Sequence, residues 1–143
     1  MGFRLGGLWN YATSEALALT GTTSDTAVQF NGWEHSSGVG GPGIEANSDF
    51  GWVKPKVSGW HVGYCSLSFI GETGVTYFFE MRVNGSLGSG FRGSVTGTDA
   101  EVDNVMFMGG ANLNEGDEVT LYVYADSAAN FTLVDGQFGL FGW

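Results

Sequence analysis

The chain has 143 residues, of which 43% are hydrophobic, 15% aromatic and only 14% charged. That is the size of one domain, with enough apolar area to offset the entropy of ordering its backbone, so a disordered chain is excluded; its 25 glycines lack the three-residue period of collagen. Fifteen carboxylates against five basic residues leave a formal charge of −10, which repels phosphate backbones and anionic headgroups and argues against nucleic acid and membrane surfaces as partners.

In chain order, residues 1–30 carry the weakest pattern. Leu17 and Leu19 alternate with small residues, Thr20 to Thr26 reads as a polar turn, and Ala27 to Phe30 as a short strand. This segment is expected either as an arm or as the first strands of a single domain spanning 1–143. Ser36 to Gly43 holds four glycines and Pro42, too few side chains to pack, and is expected as an exposed loop. From Asp49 the alternation sharpens. Strands are expected over Asp49 to Val57, Trp60 to Ile70 after a Ser58-Gly59 turn, and Val75 to Val83. Asn84-Gly85 then predicts a two-residue hairpin turn with positive φ at both positions. Phe91 to Val95, Val105 to Met108 and Glu118 to Ala125 follow, and Asp135-Gly136 divides a last pair, Phe131 to Val134 and Phe138 to Phe141. About eight short strands without a helix predict an all-β sandwich of two antiparallel sheets.

No constellation of catalytic residues emerges. Nucleophilic catalysis needs an oriented base touching a nucleophile, and the candidates are His35, His61 and Cys65. His61 and Cys65 lie four apart on one strand, on one face but beyond hydrogen-bonding reach, and the lone Cys65 sits in an apolar run as a small buried hydrophobe. The chain is therefore expected not to be an enzyme and to need no cofactor. Asp99, Glu101 and Asp103 alternate beside Asn104 and are the one weak candidate for a metal; they lack the glycine and later glutamate of a calcium loop, so a solvated acidic segment is preferred. Trp9, Trp33, Trp52, Trp60 and Trp143 admit sugar stacking, although core packing is their commoner use.

Three passages carry a resemblance. Leu113 to Leu121 (LNEGDEVTL) resembles the L-x-x-G-D-x-V-x-L motif of the tumour necrosis factor and complement globular-head superfamily. Pro55 to Phe69 is similar to that superfamily's proline and Gly-aromatic opening of a central strand, and Phe131 to Trp143 to its closing aromatic strand pair. The resemblance covers Phe50 to Trp143 and implies a jelly roll that forms homotrimers. It fits a second observation: Phe78, Met106, Met108, Tyr122 and Tyr124 place apolar side chains opposite the core-facing sets of their strands, and are expected to mediate self-association.

No secretion leader, collagen-like stalk or membrane anchor accompanies these passages, and Met1 and a strand-like end at Trp143 set the expectation of a complete product made in a host cytoplasm. The same jelly roll serves bacteriophages as trimeric capsid decoration (cement) proteins. The resemblance therefore implies a virion protein on the capsid surface, whose partners are itself and the major capsid protein. Phe3, Arg4, Leu5, Leu8, Trp9 and Tyr11 are the expected capsid contact. The alternative is a receptor- or carbohydrate-binding head domain of a phage tail fibre.

Overall fold

A computed structural model of the chain describes residues 3–10, 15–39, 43–86, 91–99 and 101–143. Twelve strands are present among them: β1 (Arg4–Asn10), β2 (Glu15–Leu19), β3 (Val28–Gln29), β4 (His35–Val39), β5 (Ile44–Asn47), β6 (Trp52–Pro55), β7 (Gly59–Ile70), β8 (Thr76–Val83), β9 (Arg92–Thr96), β10 (Asp103–Leu113), β11 (Val119–Ala125) and β12 (Ala129–Gly142). The described residues contain no α-helix, only a three-residue 3-10 turn at Ser24–Thr26. The front sheet has the order β10-β7-β12-β1-β4, with β2 on β12; the back sheet has the order β5-β6-β11-β8-β9, with β3 on β11. Every pairing is antiparallel.

Alternation decides which residues fill the space between the sheets. From β7 come His61, Cys65, Leu67 and Phe69, and from β8 Tyr77, Phe79 and Met81, all buried. Rings at the centre pack edge to face, tilted and stacked: Phe69 lies 5.3 Å from Tyr77 and 5.6 Å from Phe79, and Phe131 is stacked 5.0 Å from Phe69. Each such side chain, fully withdrawn from water, stabilises the fold by about 1.5–3 kcal/mol. Tyr77 keeps its polar end satisfied there, donating to the Asn130 carbonyl at 2.7 Å and accepting from the Glu72 amide at 2.8 Å.

Two expectations change, and one left open between two forms is decided. Asp135-Gly136 makes no turn. β12 runs unbroken, and its register against β7 shifts between Leu133 and Asp135. That extra residue resets the parity of the strand, so Phe131 and Leu133 before it and Phe138 and Leu140 after it all face inward. Ser36 to Gly43 is not a loop throughout: Ser36–Val39 belongs to β4, which pairs with β1 from Trp9↔His35 to Leu5↔Val39, while residues 40–42 lie outside the described residues. Arg4–Asn10 is a strand held on both sides, by β12 and by β4.

The Asn84-Gly85 turn forms as its residues dictate, with φ of 52° and 77° and a Val83↔Ser86 bridge closing it. It is tied to the Leu113–Leu121 motif. The Asp117 carboxylate accepts from the Asn84 side chain at 2.9 Å and the Asn114 amide at 2.8 Å, and the Asn84 side-chain oxygen accepts from the Glu118 amide at 2.9 Å. Gly116 has φ 85° and donates to the Pro55 carbonyl at 2.9 Å. The Gly-Asp pair is thus a structural clasp between β6, β8 and β11.

Candidate functional site

The outward face of the front sheet is built from flattened aromatic rings on a glycine floor. Tyr64 of β7 lies across β12 and β1: a Cβ at Gly139 or Gly7 would come within 2.6 or 2.8 Å of its hydroxyl. Trp60 does the same over β10, where a Cβ at Gly110 would meet the indole at 2.3 Å. Glycine is required at these positions because any side chain would lift the ring off the sheet. Phe141 sits among Phe3, Tyr64 and Trp143, with each ring centroid 6.1 Å from its own. Met106 and Met108 stand beside Ser66 and Tyr64 in register, and Trp9 stacks on His35 at 5.6 Å at the far side.

This face is bare and almost uncharged. Met106 is 79% exposed, Met108 62% and Trp60 55%. Among Asp, Glu, Lys and Arg, strands β7, β10 and β12 contain only Asp103, which is buried, and Asp135, which lines a cleft of about 210 Å³ with Trp9, Ser66, Ser68 and Gln137. Partial burial raises the Tyr64 phenol above its ordinary value, so the ring stays neutral. The face therefore offers a second apolar surface and no acid–base pair. Large exposed apolar patches are a common feature of interaction sites, and this face is the candidate one.

The residues expected to mediate self-association do not share one surface. Met106 and Met108 belong to this front face, whereas Phe78, Tyr122 and Tyr124 lie on the opposite, outward side of the back sheet. There they have partners in their own chain: Phe78 stacks on Tyr124 at 4.8 Å and 13°, and the Arg82 guanidinium covers Tyr122 at 4.2 Å. Sequence reasoning missed Tyr64, Ile70 and Phe141, and considered Trp60 and Trp143 only for sugar stacking or core packing. The signal was present in β7, where Trp60, Val62 and Tyr64 alternate against the equally apolar Cys65, Leu67 and Phe69.

Of the expected capsid-contact set, Phe3 is exposed, Leu5 and Trp9 are half-buried on the front face, Arg4 and Leu8 point into the sandwich, and Tyr11 lies outside the described residues. Arg4 and Leu8 thus correct that set, since neither reaches the surface. Asp99, Glu101 and Asp103 do not converge. The Asp103 carboxylate is buried and accepts from the Thr98 amide and hydroxyl at 3.1 and 2.7 Å, Asp99 accepts from the Thr73 hydroxyl at 3.1 Å, and Glu101 is exposed. Among the described residues no three acidic, His or Cys side chains are grouped to hold a metal. Cys65 is fully buried and its thiol is pushed far above the ordinary range, so it forms no thiolate nucleophile; His61, also buried, is held neutral.

No protein-family model and no curated protein sequence matches the chain. Solved structures do. Eiger TNF from S. frugiperda superposes with a TM-score of 0.62 at 10% identity, covering 100% of this chain and 94% of that one. Murine APRIL gives 0.62 at 16% identity over 99% of this chain and 100% of its own, and the globular domain of the zebrafish complement 1qA protein gives 0.54 at 15% over 96% and 94%. Likeness at these identities speaks for architecture alone, and it places this two-sheet antiparallel sandwich among the TNF-like jelly rolls.

Proposed function

We propose that the chain is a non-catalytic head domain that assembles as a homotrimer through the outward face of its front sheet. One observation carries this reading: of the nine large hydrophobic side chains found exposed among the described residues, Phe3, Trp60, Ile70, Met106, Met108 and Trp143 lie on or beside that single face. Bare apolar area of this kind costs free energy in water, and a second and third copy remove it. The number three comes from the resemblance to the TNF and complement heads; the burial comes from the face itself.

Within that class we propose a phage decoration protein that binds the outside of a capsid and stabilises it. A trimer presents every contact three times, so modest contacts to coat subunits multiply by avidity and no catalytic group is needed. Trp9, stacked on His35 at the edge of the face away from Met106 and Met108, is the member of the expected contact set that this assembly leaves for a shell. The test mixes the purified protein with empty shells of the virus that encodes it. The reading predicts saturable binding in multiples of three and a rise in shell melting temperature. Absence of binding, or a coding context without capsid genes, overturns the virion assignment, and attachment to host-surface glycans without shell binding moves the chain to a tail-fibre head.

A further inference from the structure

β3 and β6 both pair with the same edge of β11, β3 at Tyr122–Val123 and β6 at Val119–Thr120, and a cleft of about 400 Å³ lies at their junction on the outward side of the back sheet. That volume is within the ordinary range for small-molecule sites. The front-face assembly surface is on the other sheet, so the cleft and that surface stand or fall independently.

The cleft is lined by three aromatic rings, Phe50, Trp52 and Tyr122. Phe50 is 65% exposed, an expensive position for a phenyl ring, yet the turn that holds it is pinned. Asn47 accepts through its side chain from the Asp49 and Phe50 amides at 2.9 and 3.2 Å and through its carbonyl from Gly51 at 2.9 Å. Gln29 donates to the Phe50 carbonyl at 3.1 Å, and Gly51, at φ 69°, leaves no room for a side chain against Asn31. A bare ring on a stitched turn is a preformed platform that loses little entropy when covered.

The polar lining narrows the ligand further. Lys54 lies 4.0 Å over the Trp52 ring and is paired with Glu118 at 3.2 Å, so the charges at the rim neutralise each other. Thr120 also lines the cleft. It is only 8% exposed and its hydroxyl has no hydrogen-bond partner, although buried polar groups are nearly always paired. A matching ligand needs an apolar face for the rings, hydroxyls that donate and accept for Thr120, and no net charge. An added peptide strand does not fit, because the β11 edge is already occupied by β3 and β6, and an anionic polymer is repelled by the formal charge of −10. We propose that this cleft is a binding subsite for a neutral saccharide, with a pyranose ring stacked on the bare Phe50 ring beside Trp52 and a sugar hydroxyl bonded to Thr120.

The test titrates the full chain with D-glucose, D-galactose, N-acetyl-D-glucosamine and maltose, followed by amide NMR shifts and calorimetry. At least one is expected to bind with a Kd of about 1 mM or tighter and to shift the amides of Phe50, Trp52 and Thr120. Phe50→Ala is expected to weaken it about five- to tenfold. Thr120→Val, which keeps the shape and removes only the hydroxyl, is expected to weaken binding without lowering the melting temperature. Silence with all four sugars, shifts confined elsewhere, or affinity untouched by both substitutions overturns the proposal. Preference for a heparin oligosaccharide or an extended peptide at these residues overturns it too. A Met106→Glu/Met108→Glu variant is expected to keep the sugar affinity whatever its state of assembly, so failure of the trimer reading and failure of this one are read separately.

Discussion

Glu80 sits on the outward side of β8 yet is almost completely buried, because the Ser24 hydroxyl and the Arg82 guanidinium close over it at 3.1 Å each. Arg82 also donates to the Ser24 carbonyl and covers Tyr122, so one side chain ties the 3-10 turn to the back sheet. Removing it leaves a buried carboxylate without its counter-ion. Arg82→Ala should therefore destabilise the chain by about 3 kcal/mol or more in urea titration, and Glu80→Gln in that background should recover part of the loss. His61 gives a pH signature. Burial first, and the Arg4 guanidinium second, hold its pKa below the ordinary 6.5, against one opposing hydrogen bond to the Gly59 carbonyl. The unfolded chain then binds the proton more readily than the folded one, so this contribution is complete above pH 6.5 and declines as the pH falls below it, levelling off beneath the folded value. Denaturation midpoints measured from about pH 8 down toward about pH 5 should fall, and His61→Gln should flatten that slope. Cys65 was legible from its apolar run as a buried side chain; the burial of Arg4 was not, since no local pattern around a lone arginine tells which way a strand will turn it.

At the scale of strands, glycine does different work in different places. Gly139 is enclosed: a Cβ there would meet the Gly6 carbonyl at 2.3 Å and the Gly7 Cα at 2.8 Å, both backbone atoms. Gly85 has open space around it and only a φ of 77° to protect. Gly139→Ala should cost about 3 kcal/mol by forcing β1 and β12 apart, and Gly85→Ala about 1 kcal/mol from backbone strain alone, a contrast that urea midpoints resolve. Strands β7, β8 and β11 could be read from alternation because one face of each is strictly core. β4 could not, because His-Ser-Ser-Gly-Val offers no apolar period and its place is decided by pairing with β1. β12 was read as two strands because Asp135-Gly136 has the composition of a turn; the change of parity between Leu133 and Phe138 fits a turn as well as a bulge, and only the unbroken pairing with β7 separates them. Glycines 109 and 110 likewise read as the end of a strand, whereas β10 continues to Leu113 and uses Gly110 to seat Trp60.

The whole molecule divides its two outer surfaces by chemistry. The back sheet carries charge, part of it paired: Lys54 with Glu118 and Arg82 with Glu80. The front sheet carries rings and thioethers with hardly any charge. In a chain of formal charge −10, copies can meet only where apolar burial outweighs repulsion, and the assembly proposed above uses the face that carries the least charge. Excess apolar residues in the sequence raised the expectation of a second apolar surface without saying which sheet bore it, because Phe78 and Tyr124 satisfy each other in a way that only the fold reveals. Sedimentation equilibrium at micromolar concentration, comparing the native chain with Met106→Glu/Met108→Glu, tests the assembly most directly. The native protein is expected at three times the 15.2 kDa chain mass and a folded variant at one chain mass. A native protein that sediments as a single chain, or a variant that still assembles in threes, contradicts assembly through the front face.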